Sequence, residues 1–250
     1  MNLIISGISG KMGKYVYELA RSTDGVNVVC GVDKYDAGIF ACPVYPTFDE
    51  VAETADVVID FSRPDLLGGV LSYAMRVGAG VVLATTGYTK QDLDAIEKAT
   101  KKIAVFRSAN LSIGVNLLVD LVRRAEQFLG EDYDVEIIEK HHNQKADAPS
   151  GTALMLADAV QSGAENPMEY VYGREGIVGK RKPRELGIHA VRGGTIVGEH
   201  DVLFAGTDEV ITFSHSAGSK MVFAKGAMRA ALFLQGMRPG LYDMKNVLGL

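Results

Sequence analysis

The sequence predicts an α/β protein: a Rossmann-type, doubly wound parallel sheet plus a second α+β domain with an open mixed or antiparallel sheet. In the first part of the chain, short β-branched apolar runs alternate with longer helical patterns. Strands that are apolar throughout are typical of a parallel sheet covered by helices on both faces. Later, three strand-like runs follow one another with only short glycine- or aspartate-containing turns between them, which indicates antiparallel pairing.

The first predicted domain is built from strands and helices that alternate along the chain. Each strand is a run rich in valine and isoleucine, and each helix carries apolar residues at helical spacing. The strands are Asn2–Ser6, Val26–Val32, Asp56–Phe61, Val81–Thr85 and Ile103–Arg107, and the helices are Lys11–Arg21, Phe48–Glu53, Pro64–Val77 and Lys90–Thr100.

The second predicted domain begins with a helix near Ile113 and contains four further strand-like runs and another helix. The chain closes with a helix and an apolar tail that we expect to pack against the first domain. The predicted ranges are therefore residues 1–112 with 218–250 for the first domain and 113–217 for the second. The later elements are strands Tyr133–His142, Gly187–Val191, Thr195–Phe204 and Glu209–His215, and helices Thr152–Gln161 and Met221–Met237.

Composition restricts the class of protein. The chain has 250 residues, 47% of them hydrophobic, which is ample for packed cores. The net charge of −5 is spread without a basic block, which argues against a nucleic-acid surface. The N-terminal run is too short and too poor in basic residues for a signal peptide, and no apolar stretch could span a bilayer, so we expect a cytoplasmic protein. Cys30 and Cys42 lack metal or redox spacing and are interpreted as reduced packing residues.

A glycine-rich loop between the first strand and the first helix is the candidate dinucleotide site. Its glycines would permit a tight turn and let backbone N–H groups approach a pyrophosphate at the positive end of the helix. Glycine is also common in such turns for steric reasons alone, but the position after the first strand of a βαβ unit favours a functional role. The loop reads Gly7-Ile8-Ser9-Gly10-Lys11-Met12-Gly13.

Asp33, at the end of the second strand, is placed to accept hydrogen bonds from the adenosine ribose, although a solvated turn acid would look the same. Lys34 and Lys11 would offset its repulsion of a 2′-phosphate, so both NADH and NADPH are expected to be usable. Small polar residues at the carboxyl ends of later strands would line the nicotinamide, or simply cap loops. These segments are Ala84-Thr85-Thr86-Gly87 and Ser108-Ala109-Asn110-Leu111.

The densest polar cluster lies between a strand and a helix. Ser150 or Thr152 can cap that helix, and Gly151 allows close approach, so its first turn is a candidate carboxylate site. A metal site is disfavoured because no further cysteine or carboxylate has a ligand-like spacing and Lys145 would repel a cation. The segment reads Glu139-Lys140-His141-His142-Asn143-Gln144-Lys145-Ala146-Asp147-Ala148-Pro149-Ser150-Gly151-Thr152-Ala153.

The chain resembles the dihydrodipicolinate reductase family over essentially its whole length. The polar segment matches the family's E-x-H-H-x-x-K-x-D-x-P-S-G-T-A signature, which is highly specific. The G-x-x-G-x-M-G loop and the segments A-T-T-G, S-A-N-L-S-I-G-V-N and R-G-G-T-I-V-G-E-H agree in the same order.

This resemblance implies a reductase of the diaminopimelate and lysine pathway that acts on a cyclic dicarboxylate and forms a homotetramer through the sheet of its second domain. By similarity, His141 is the proton donor and Lys145 the second acid and electrostatic partner. His142, Gly151 and Thr152 would contact the substrate carboxylates. Adding hydride to a conjugated imine requires both a cation and an acid, which these residue types supply.

Two departures concern the cofactor. Lys11 and Lys220 stand where the family often has arginine, and lysine lacks the planar fork that grips a phosphate. Two other functions compete with the reductase: a different amino-acid or hydroxy-acid dehydrogenase on the same scaffold, and a non-catalytic dinucleotide sensor. The histidine-lysine segment disfavours the first, and the lack of a basic recognition helix disfavours the second.

Overall fold

A computed structural model describes residues 1–250. The chain divides into two compact units. The first unit comprises Met1–Ile113 with Met221–Leu250, and the second unit comprises Gly114–Lys220. Each unit has its own hydrophobic core.

The first unit contains a seven-stranded, all-parallel sheet. The strand order is β3-β2-β1-β4-β5-β6-β12, so the order reverses between β1 and β4, where doubly wound sheets bind ligands. The predicted Rossmann-type sheet is confirmed. Its strands are β1 (Asn2–Ser6), β2 (Asn27–Val32), β3 (Val44–Tyr45), β4 (Val57–Asp60), β5 (Gly80–Leu83), β6 (Ala104–Arg107) and β12 (Gly240–Tyr242).

Helices cover both faces of this sheet, which explains why its strands are apolar throughout. Helices α1, α6 and α7 contribute to the core on one face, and α2 and α3 contribute to the core on the other. The apolar C-terminal tail packs against the first of these cores, through Met244, Val247 and Leu248, as predicted. These helices are α1 (Lys11–Arg21), α2 (Leu67–Val77), α3 (Lys90–Thr100), α6 (Met221–Leu234) and α7 (Met244–Leu248).

Gly13 lets α1 pack directly on the turn that follows β1. A Cβ atom at this position would lie 2.1 Å from the carbonyl oxygen of Gly7 and 2.6 Å from Cα of Ile8. Both are backbone atoms, which cannot move without opening the loop. Gly68, in α2, has nothing within 4 Å of the same position.

Replacing Gly13 with alanine is expected to lower the free energy of unfolding by at least about 3 kcal/mol, because the methyl group has no space. The matched change Gly68→Ala should be neutral or raise it by up to about 1 kcal/mol, because alanine favours the helix and meets no neighbour. Urea unfolding of both variants measures the difference. Equal effects of the two changes would contradict this account of the loop.

The second unit contains a five-stranded mixed sheet in the order β11-β10-β7-β9-β8. Helices α4 (Ile113–Leu129) and α5 (Gly151–Gly163) contribute to the core on one face. Residues of the other face, such as Val191 and Val210, are exposed. The strands are β7 (Asp134–His141), β8 (Glu169–Tyr172), β9 (Glu185–Arg192), β10 (Glu199–Ala205) and β11 (Val210–Ser216).

Several details differ from the sequence prediction. Strands β3, β8 and β12 were not predicted, and β10 begins at Glu199 rather than at Thr195. Strands β10 and β11 pair antiparallel as expected, but β9 does not pair with β10; it runs parallel to β7, which separates the two. The segment after Phe48 is only a 3-10 turn, Phe48–Glu50. The helix that starts at Met221 ends at Leu234, because the chain turns at Gly236, which has a φ of +78°. No helix is long and apolar enough to cross a membrane.

Candidate active site

The glycine loop of the first unit leaves the start of α1 open. Gly7 has a φ of +76°, and a Cβ there would lie 2.8 Å from the carbonyl oxygen of Phe61, so only glycine fits this turn. Gly10 precedes α1, and no side chain caps the helix and no acidic residue lies in its first turn. The N–H groups and positive dipole end of the helix are therefore well suited to an anion such as a pyrophosphate.

Asp33, predicted to contact the adenosine ribose, lies beside this loop. Its carboxylate accepts the N–H of Ser9 at 3.0 Å and the N–H of Tyr35 at 3.4 Å. The Ser9 hydroxyl donates to the carbonyl oxygen of Tyr35 at 2.6 Å, which ties the loop to the end of β2. Lys34 is exposed, with its ammonium nitrogen 5.5 Å from the centre of the Tyr35 ring.

Asp60, at the end of β4, is a polar residue of this sheet edge that the sequence analysis missed. Its side chain is fully buried and accepts the hydroxyl protons of Ser62, at 2.5 Å, and Thr85, at 3.0 Å. Thr85 is therefore fixed at the carboxyl end of β5, while Thr86 next to it is exposed. The sequence Val57–Asp60 looks like any buried strand. Only the carboxylate at its end could have indicated that Asp60 holds neighbouring hydroxyl groups.

The segment after β6 is held by its own polar groups. The Ser108 hydroxyl donates to the carbonyl oxygen of Asn110 at 2.8 Å, and the Asn110 side chain accepts the N–H of Ser112 at 2.8 Å. Ala109 is exposed, whereas Leu111 is buried in the core. Within this predicted segment, Leu111 therefore packs in the hydrophobic core of the first unit.

In the second unit, Glu139 and His141 lie on the buried face of β7. Side chains two positions apart on a strand share a face, and here Nδ1 of His141 lies 2.6 Å from Oε2 of Glu139. Arg192 of β9 donates to both oxygens of Glu139 at 2.8 Å. With Nδ1 engaged, Nε2 of His141 is the ring atom available to a substrate. Gly198 keeps space beside it, since a Cβ there would lie 3.0 Å from Nε2.

Lys145 and the start of α5 complete the cluster. The Lys145 ammonium lies 2.8 and 2.9 Å from the two carboxylate oxygens of Asp147. Ser150 caps α5, its hydroxyl accepting the N–H of Ala153 at 3.1 Å. Gly151 has nothing within 4 Å of the position of a Cβ, and Thr152 follows it in the first turn. The alternative cap, Thr152, is thus not the one used. A cation and a helix N-terminus suit a carboxylate ligand.

His200 of β10 is a buried neighbour that the sequence analysis did not single out. Its Nε2 lies 3.1 Å from the Ser150 hydroxyl oxygen, and its ring centre lies 5.2 Å from that of His141. Burial, followed by the repulsion of His141, lowers the pKa of His200 from 6.5 to about 4. The ring is therefore neutral at physiological pH.

Replacing His200 with glutamine is expected to flatten the pH dependence of stability. Above the ordinary pKa of 6.5 the ring is neutral in both states; as pH falls toward about 4, the unfolded chain binds a proton that the folded chain refuses. Over this pH interval the free energy of unfolding of the wild type should therefore fall by up to about 3 kcal/mol more than that of the variant. Urea unfolding on both sides of this interval measures the stability gap, with His142→Gln as control. A gap that does not change with pH would refute the assignment.

Comparison with known proteins identifies the family. The model of the dihydrodipicolinate reductase N-terminus matches residues 1–111, and that of the C-terminus matches residues 114–248. The chain belongs to the dihydrodipicolinate reductase family. The resemblance on which the sequence analysis relied is thus confirmed, and the chain is an oxidoreductase of this family.

Relatives match along the whole chain. The 4-hydroxy-tetrahydrodipicolinate reductase of Caldanaerobacter subterraneus subsp. tengcongensis is 53% identical over 99% of this chain and 98% of its own. The enzyme of the same name from Clostridium novyi is 47% identical over 98% and 97%. The solved structure of a dipicolinate-bound dihydrodipicolinate reductase from Paenisporosarcina sp. TG-14 has a TM-score of 0.82 at 22% identity, with 98% of both chains covered, and so supports the fold.

Within this family member, the structure brings together some of the sequence-predicted residues. Asp33 lies beside the glycine loop and accepts the N–H of Ser9. His141, the loop of Lys145 and the start of α5 are joined by hydrogen bonds through Glu139 and Arg192. His142 is half-buried and meets the loop through its carbonyl oxygen, which accepts the N–H of Lys145 at 3.1 Å. Arg192 was not predicted as a site residue, although it opens the R-G-G-T-I-V-G-E-H segment of the family resemblance. It meets Glu139 only through the parallel pairing of β7 with β9, which the sequence does not show.

Proposed function

We propose that this chain catalyses the reduction of 4-hydroxy-tetrahydrodipicolinate to tetrahydrodipicolinate in the diaminopimelate route to lysine. One observation carries the proposal: His141, hydrogen-bonded through Nδ1 to a buried carboxylate, stands in the same hydrogen-bonded cluster as the Lys145 loop and the start of α5. Two relatives that match along almost their whole length are both named 4-hydroxy-tetrahydrodipicolinate reductase, which supports the same substrate. Family membership favours it over another dehydrogenase or a dinucleotide sensor.

The residues of the second unit supply the proton and the anion contacts. Loss of water from the hydroxylated ring leaves a conjugated imine. Hydride addition to it moves electrons toward nitrogen and the neighbouring carbon, where a C–H bond forms as the Nε2–H bond of His141 breaks. Lys145 stabilises the developing negative charge with its ammonium group, as electrostatic partner and second acid. Gly151 and Thr152, at the positive end of α5, and His142 bind the substrate carboxylates.

The first unit fits a nicotinamide dinucleotide, which when bound supplies the hydride. The open start of α1 suits the pyrophosphate, with Gly7, Ile8, Ser9, Gly10, Lys11 and Met12 along it. Asp33 can accept hydrogen bonds from the adenosine ribose, near Lys34. The later strand ends, with Ala84, Thr85 and Thr86 and with Ser108, Ala109, Asn110 and Leu111, lie at the same carboxyl edge of the parallel sheet.

A coupled assay tests the function. The substrate is generated from pyruvate and aspartate semialdehyde by a synthase, and oxidation of NADH or NADPH is followed by absorbance. Turnover that depends on both this chain and the synthase is the expected result. Equal turnover without the synthase, or no turnover with either NADH or NADPH, would refute the proposal.

The enzyme should discriminate only weakly between NADH and NADPH. Asp33 favours NADH, while the exposed Lys34 and Lys11 attract a 2′-phosphate through salt-screened interactions worth on the order of 1 kcal/mol or less each. We expect kcat/KM values for NADH and NADPH within about tenfold at low salt, with NADPH use weakened more by salt. Lys34→Ala should shift the ratio toward NADH.

The matched control is Lys102→Ala, which removes the same charge from an exposed lysine shortly before β6, at the opposite edge of the sheet. Kinetics with both cofactors at two salt concentrations measure the ratio. A ratio indifferent to salt and to Lys34→Ala would show that Lys34 does not touch the phosphate.

We further propose that the protein is a cytoplasmic homotetramer assembled through the second-unit sheet. The exposed face of that sheet, with Val191 and Val210, supports this surface. Light scattering should give a mass of four chains, and charged replacements at both valines should lower it. A monomer at assay concentration would exclude the tetramer.

A further inference from the structure

Glu139 is a fully buried carboxylate with four donors around it. Its Oε2 faces Nδ1 of His141 at 2.6 Å and accepts one arm of Arg192 at 2.8 Å. Its Oε1 accepts the other arm of Arg192 at 2.8 Å and the N–H of Ser150 at 3.0 Å. A carboxylate that satisfies so many partners holds each of them in a defined geometry.

We propose that Glu139, clamped by Arg192, is a positioning residue that fixes the tautomer of His141 and the loop that carries Lys145. The proposal rests on the proposed function, in which His141 gives the proton. Neither Glu139 nor Arg192 touches the substrate in this account. Both act through the groups that do.

The strand register explains why these side chains meet. Glu139 and His141 lie two positions apart on β7, and Arg192 of β9 is paired in register with His141. Burial tends to raise the pKa of Glu139, but the hydrogen bonds from Arg192, His141 and the Ser150 N–H outweigh burial and leave this pKa below its ordinary value. Glu139 is therefore an anion, and an anionic carboxylate can only accept hydrogen bonds.

An acceptor at Nδ1 determines where the mobile proton sits. Because Glu139 can only accept, Nδ1 of His141 must carry a proton both in the charged ring and in the neutral ring. Proton transfer then breaks the Nε2–H bond and forms the C–H bond of the product, while the Nδ1–H bond to Glu139 persists. Bulk water restores the Nε2 proton in the next cycle. A neutral ring with the opposite tautomer also points an N–H at the substrate, but it is a poor acid, because losing the Nε2 proton would leave an imidazolate anion instead of a neutral ring.

The same pair anchors the loop that carries Lys145. Arg192 donates to the carbonyl oxygen of Asp147 at 2.7 Å, and Glu139 accepts the N–H of Ser150 at the start of α5. Both bonds attach the end of the loop to the sheet. Loss of the carboxylate should therefore affect the proton donor, Lys145 and the anion site together.

The experiment reads the tautomer directly. Protein labelled with ¹⁵N-histidine is recorded at a pH where the His141 ring is neutral, and the ring signals are assigned by their loss in His141→Gln. The wild type should show protonated Nδ1 and bare Nε2. In Glu139→Gln, the amide oxygen can keep the N–H of Ser150 and one arm of Arg192 while the amide nitrogen faces Nδ1 of His141. The reverse orientation would turn the amide nitrogen toward two donors, the Ser150 N–H and an arm of Arg192. We therefore expect the proton of the neutral ring to move to Nε2.

Kinetics provide the second readout. Glu139→Gln should lower kcat about 10²-fold while KM for the dinucleotide stays near normal, because a wrong tautomer impairs the proton transfer and not cofactor binding. Arg192→Lys keeps the charge with one donor arm lost, and should retain the Nδ1–H tautomer with a smaller loss of kcat. The His189 ring signals in the same spectra serve as the control for folding.

Several results would overturn the proposal. A neutral wild-type ring protonated at Nε2 does so outright. So does a Glu139→Gln variant with lost kcat but an unchanged tautomer, which would make Glu139 merely structural. If Glu139→Gln does not fold, the wild-type tautomer and Arg192→Lys decide the matter. A wild type with the expected tautomer but no reductase activity would instead refute the proposed function.

Discussion

His141→Gln is expected to lower kcat by about 10²–10⁴-fold, the usual contribution of a general acid. Glutamine can hydrogen-bond to Glu139 but cannot deliver a proton at the position of Nε2. KM for the dinucleotide should change little, since the glycine loop and Asp33 belong to the other unit. Steady-state kinetics in the coupled assay measure both constants.

His189→Gln is the matched control for this prediction. His189 lies on the neighbouring strand β9, and its Nε2 contacts Glu136, which points to the face of β7 opposite to His141. The same chemical change there should leave kcat close to the wild-type value. A His141→Gln variant with near-normal turnover would remove His141 from the role of proton donor.

Lys145→Ala is expected to lower kcat about 10²-fold or more, because the variant loses the cation that faces the developing negative charge. The side chain of Lys145 is largely shielded from solvent, at 21% exposure, so water screens its charge less than that of a surface lysine. The loss should fall on kcat, with a smaller effect on KM for the dicarboxylate. KM for the dinucleotide should again be unchanged.

Lys182→Ala tests whether any lost positive charge on the second unit has the same effect. Lys182 is exposed and lies shortly before β9. Its removal should leave both kcat and KM near the wild-type values. Equal losses for Lys145→Ala and Lys182→Ala would show that the effect is one of net charge and not of position.

Elements with strong local signals could be predicted closely from the sequence. Helices Lys11–Arg21 and Lys90–Thr100 have the predicted bounds, because glycine and the capping pair Thr89 and Asp92 mark their starts. The predicted pairing of β9 with β10 was wrong. A short connection joins neighbouring strands only when it forms a hairpin turn. The stretch between Arg192 and Glu199 is instead a loop that carries the chain across β7.

The candidate site could be predicted only where its residues are close in sequence. Glu139, His141 and Lys145 share one segment, and their proximity is visible without a structure. Arg192 and His200 are the first and last residues of the R-G-G-T-I-V-G-E-H segment, which the family resemblance marks but to which it assigns no role. They reach the same cluster from two other strands, and the sequence does not show the strand pairings that bring them there. The role of Gly198 was also not predictable, because it depends on the His141 ring that it faces.

The most direct test of the reductase assignment follows the hydride. The coupled reaction is run with a dinucleotide that carries deuterium at the transferable position, and the dicarboxylate product is analysed by mass spectrometry. The account predicts one deuterium in each product molecule, formed at a rate that falls strongly in His141→Gln. Product without the label, or labelled product formed equally fast by His141→Gln, would contradict it.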